Sequence, residues 1–104
     1  MSDPKRYELN AKLEECCPRV YFNPPEGTQL VFPCIVYNRR YGDHKYADNK
    51  VILSHIAYQV TVMYKSSDTD ITDKILDKFT MVRLENDFIE KGLNHTVFLL
   101  YYRY

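Results

Sequence analysis

The run from Ile56 to Lys65 constrains this chain more than any other segment. Ile56, Tyr58, Val60, Val62 and Tyr64 alternate with Ala57, Gln59, Thr61, Met63 and Lys65, a period of two kept over ten residues. A strand places successive side chains on opposite faces, so this pattern demands a sheet with one face buried and the other less so. Whatever else the chain builds must cover that apolar face.

Two segments have the helical period needed to do so. Between Lys5 and Cys17, Leu9, Leu13 and Cys16 or Cys17 recur at i, i+4 and i+7 or i+8, with Lys12, Glu14 and Glu15 between them, and Pro18 ends the run. The second begins in Ser66-Ser67-Asp68-Thr69-Asp70, rich in capping residues and in acidic groups suited to the positive end of a helix dipole. Ile71, Ile75, Leu76 and Phe79 then form an apolar stripe, with Val82 at its far end.

Arg19–Phe22 reads as a short extended piece and Asn23-Pro24-Pro25-Glu26-Gly27 as a loop. Phe32–Tyr41, rich in β-branched and aromatic residues, predicts a first long strand with Pro33 at its start or edge. Arg83–Lys91 is open between strand and loop, Gly92 marks a turn, and Asn94–Tyr104 predicts a last strand with Thr96, Phe98, Leu100 and Tyr102 on one face. The expected fold class is therefore α+β: a small antiparallel sheet of about four strands packed against two helices, in the order α-β-β-α-β with a further strand open. At 104 residues, this is one domain spanning 1–104.

Composition narrows function mainly by exclusion. Lys plus Arg equals Asp plus Glu at 14 each, so no overall field draws the chain to phosphate. No apolar run approaches the ~20 residues of a membrane span, and the polar start Met1–Arg6 lacks the apolar stretch of an export signal, so the expected compartment is the cytosol. Cys16, Cys17, Cys34, His44, His55 and His95 show none of the paired spacings that hold zinc, and the three cysteines read as reduced, small apolar fillers. A Cys–His nucleophilic pair could arise only from tertiary proximity. None of the three glycines forms a phosphate loop, and Asp68, Asp70 and Asp73 fit helix capping better than a cation loop. No catalysis, metal or cofactor is expected. Arg39, Arg40 and Lys45 interleaved with Tyr37, Tyr41 and Tyr46 are the one arrangement suited to single-stranded nucleic acid, countered by Asp43 and Asp48 and by the neutral chain.

Three stretches taken together carry a family resemblance: Pro33-Cys34-Ile35-Val36-Tyr37, then Tyr46-Ala47-Asp48-Asn49-Lys50-Val51, then Tyr58–Lys65 before an acidic helix start. The chain, from about residue 5 to 104, resembles the small tail-terminator or tail-completion proteins of long-tailed, siphovirus-like bacteriophages and prophages. The resemblance implies a structural virion protein assembled in the host cytoplasm. It would form a homohexameric ring at the head-proximal end of the tail tube, end tube polymerisation and join the head. The implied partners are other copies of the chain, the major tail-tube protein and a head-completion or connector protein, without membrane or sequence-specific nucleic-acid binding. A neighbouring head–tail connector role, and in another class a small RNA-binding domain, stand as alternatives. The polar segment Gly42–Lys50 is expected to project as an arm, and Tyr41, Asp43, Tyr46, Asp48 and Asn49 are its candidate interface residues.

Overall fold

A computed structural model of the chain describes residues 4–40, 55–65 and 70–103. Helix α1 spans Pro4–Cys16, strand β1 Val20–Phe22, β2 Cys34–Arg39, β3 His55–Tyr64, helix α2 Asp70–Lys78, β4 Val82–Glu90 and β5 Leu93–Arg103. The strands form one sheet in the order β1-β2-β3-β5-β4, with both helices contributing to the apolar core on one of its faces.

The α+β class and the two helices are as expected, whereas the sheet differs. It has five strands where about four were expected, and it is mixed, because β1 runs parallel to β2 (Val20 opposite Ile35, Phe22 opposite Tyr37). A parallel pair needs a connection that carries the chain back past the sheet. The turn-rich residues 23–33 make that return, with Asn23 and Gly27 in the left-handed region at φ 50° and 87°. β2 also starts later than expected, at Cys34, after a cis Phe32–Pro33 peptide bond.

The period-two run is the centre of the fold. β3 pairs antiparallel with β5 from His55–Arg103 to Tyr64–Asn94, so Val60 sits opposite Phe98 and Tyr58 opposite Leu100. Tyr58, Val60, Val62, Phe98 and Leu100 are all buried beneath Leu9 and Leu13 of α1 and Ile71, Ile75 and Phe79 at α2. Leu76 departs from the expected stripe. It is 47% exposed, because it lies one residue, about 100°, beyond the Ile71–Ile75 row that faces the sheet.

Arg83–Lys91, open on sequence grounds, is β4 joined to β5 by a two-residue turn. Lys91 and Gly92 carry φ of 55° and 77°, the pair of positive angles that lets a tight hairpin follow the strand twist.

Core placement separates two substitutions at α2, one within it and one just past its end. Phe79→Ala should cost about 3–4 kcal/mol by removing a buried ring, whereas Leu76→Ala should change stability by less than about 0.5 kcal/mol. Urea denaturation of the two variants checks this; equal costs would contradict the helix orientation.

Candidate functional site: the second sheet face and the β4 edge

The expected interface residues Tyr41, Asp43, Tyr46, Asp48 and Asn49 lie outside the described residues. The described part of the neighbouring basic segment is used structurally. Tyr37 is fully buried, donating its hydroxyl to Asn10 Oδ1 at 2.6 Å and receiving Arg6 Nη1 at 3.4 Å. The Arg6 guanidinium stacks 4.1 Å from the Phe22 ring centre and 4.6 Å from that of Tyr7. Tyr37 therefore locks α1 to β2, and its ring is out of reach of a nucleic-acid base. Burial pushes its hydroxyl pKa up, with Arg6 pulling the other way.

Arg40 is also engaged. Its amide bonds Ala57 O at 2.9 Å, and its guanidinium pairs with Glu85 on β4, three strand spacings or about 14 Å away. The side chains must cross β3 and β5 on the face turned from the helices. Ala57 and Leu99 lie beneath that path, and both are buried. This ion pair is a strap across the second face.

Beside the strap, an open groove of about 770 Å³ is lined by Gln59, Thr61, Arg83, Asn86, Phe88 and Val97, among others. At one end Phe88 stacks on His95, with ring centres 4.8 Å apart and planes within 8°. His95 Nδ1 lies 3.1 Å from Leu93 O, so it is the nitrogen placed to donate there. The groove opens onto β4, the sheet's outer strand, where every residue from Arg83 to Glu90 is exposed. Leu84, Phe88 and Ile89 are 54%, 37% and 72% exposed, and a bulge at Glu85 interrupts the ladder with β5.

What such a surface offers is a strand edge with no strand beside it among the described residues, three apolar side chains and amides, of which the Asp87 N–H is held by Asn86 Oδ1 at 2.9 Å. Sequence reasoning missed it. VRLENDFIE lacks clean alternation because the strand is exposed on both sides and the bulge shifts its period by one residue.

The cysteines are free and buried. Cys17 Sγ donates to Pro33 O at 3.4 Å and Cys16 Sγ to Lys12 O at 3.7 Å. Desolvation raises the Cys16 pKa and pushes that of Cys34 up to about 11, the reverse of an activated thiolate. Among the described residues, no three His, Cys, Asp or Glu side chains gather as a metal site, and no helix is long and apolar enough to cross a membrane. Comparison with protein-family models and with curated proteins finds no match for this chain.

The raised thiol gives a pH dependence of definite sign. The folded chain holds the Cys34 proton more tightly than the unfolded chain, where a thiol titrates near about 8.5. Its contribution to stability is thus complete below that range and falls as pH climbs through about 11. The urea midpoint should drop between about pH 8 and pH 10.5, and Cys34→Ala should make that drop shallower. A parallel drop in both proteins would assign the effect elsewhere.

Proposed function

We propose that this chain is a structural subunit of a bacteriophage tail, a terminator whose copies form a hexameric ring at the head-proximal end of the tail tube. The ring ends polymerisation of the major tail-tube protein and presents a surface to a head-completion protein. The observation that carries the reading is the exposed β4 edge beside an open groove, with Leu84, Phe88 and Ile89 on the surface. This is apolar area and hydrogen-bonding backbone set out for protein contact. The resemblance of residues 33–37, 46–51 and 58–65 to tail terminators supplies the kind of assembly.

Ring closure uses heterologous contacts, one patch meeting a different patch on the next copy. The Gly42–Lys50 segment is the proposed source, with Tyr46 as its aromatic anchor and Asp48 as its charge. Tyr46→Ala combined with Asp48→Lys should leave thermal melting unchanged while lowering ring assembly and the yield of completed tails at least about tenfold. Normal assembly by the variant would remove the arm from the interface. Wild-type protein that leaves purified tube ends uncapped in electron micrographs would overturn the terminator reading. If it joined the head-completion protein alone, a connector would be indicated, and RNA binding with a steep salt slope would favour the RNA reading.

A further inference from the structure

β4 is a nine-residue edge strand. Edges of this length invite another strand to the extent that proline, charge, bulges or cover do not blunt them. β4 contains no proline, its bulge lies in the first half of the strand, and from Asn86 to Glu90 it pairs with β5 without interruption, with Leu84 and Ile89 54% and 72% exposed. The Glu85 carboxylate is drawn back over the second face to Arg40, away from the edge. Partners on β5 fix where the other side chains stand. Val82, Leu84, Asp87 and Ile89 oppose Leu100, Phe98, Thr96 and Asn94 on the helix side. Arg83, Asn86, Phe88 and Glu90 oppose Leu99, Val97, His95 and Leu93 on the other.

We propose that β4 pairs antiparallel with β4 of a second copy of this chain, about a two-fold axis between the two Asp87 residues. Counting past the bulge, this register sets Arg83 opposite the partner's Glu90, Leu84 opposite the partner's Ile89 and Asn86 opposite the partner's Phe88. Each pair shares a face, as directly opposed residues of an antiparallel ladder must. Two-fold symmetry makes every such contact twice. The Arg83 side chain is 65% exposed and makes one long ion pair, 3.7 Å to Glu85 Oε2, so reaching the partner's Glu90 gives up little.

Other registers are poorer. The smallest slip that keeps faces matched is two residues; one direction sets Leu84 against Asp87, and the other sets Asp87 against Ile89. The chosen register has one unfavourable element, the like-charged Asp87 pair at the axis. Each Asp87 carboxylate also accepts the Thr96 hydroxyl at 3.3 Å.

The inference rests on the reading of β4 as a surface for contact between protein copies and names its occupant, while ring closure is left to the Gly42–Lys50 segment. An isologous contact occupies the same patch on both copies and stops at two, so it yields a dimer with a continuous ten-stranded sheet and no free β4 edge. Sedimentation equilibrium of the full chain, from about 1 to 100 µM, should show monomer and dimer. Arg83→Glu or Glu90→Arg alone should weaken dimerisation by about tenfold or more, and R83E/E90R together should restore it, because the reversed charges again face each other. Asp87→Asn should tighten it. Circular dichroism establishes that each variant is folded. A wild-type monomer throughout, dimerisation indifferent to the single reversals, or a folded double variant that remains weak would each overturn the proposal. Failure of the ring reading shows instead as uncapped tube ends, and this measurement does not depend on it.

Discussion

The ladder between β3 and β5 is the constraint on which the rest of the structure depends. It holds Tyr58, Val60 and Val62 in register with Leu100, Phe98 and Thr96, and so commits one face to apolar burial. A slip of one residue would turn Gln59 and Thr61 toward the core and expose Val60 and Val62. Both helices answer this face. Leu9 and Leu13 of α1 and Ile71 and Ile75 of α2 enter the same core, and Lys78 of α2 reaches Glu15 of α1 at 2.5 Å across the outside of the layer.

Polar groups within this apolar layer are satisfied in ways that join elements distant in sequence. Tyr37 ties β2 to Asn10 and Arg6 of α1, and Tyr102 of β5 donates to Glu8. Tyr64 lies 3.2 Å from Thr96, whose hydroxyl is given to Asp87 of β4, so Tyr64 is the donor in that pair. The abundance of tyrosine thus has a structural use. The rings of Tyr37, Tyr64 and Tyr102 contribute buried area while their hydroxyls, which would be costly to leave unpaired, find partners at the border of the core.

With both helices on one side, no described helix covers the second face or the outer edge. The Arg40–Glu85 strap crosses that face, and the groove lies beside it toward β4. The aromatics that suggested nucleic-acid stacking divide accordingly. Tyr37 is consumed by the core, while Tyr41 and Tyr46 lie outside the described residues. Phe88, which no sequence pattern singled out, forms an aromatic platform with His95.

Local periodicity was enough to determine the two helices, the central strand, the faces of β3 and β5 and the burial of the cysteines. In those segments the physical driving force, apolar side chains recurring with the backbone's own period, is written into neighbouring residues. Where no such period exists, tertiary structure decided. β1 is three residues long and acquires its parallel place only because residues 23–33 return the chain beside it. β4 is a strand because β5 offers it a ladder through a two-residue turn, not because VRLENDFIE buries a face. Its bulge, its position at the edge and the strap from Arg40 depend on residues up to 45 positions apart. The exposed surface at β4 emerged there because an edge strand is defined by the neighbour it lacks, which its own sequence does not encode.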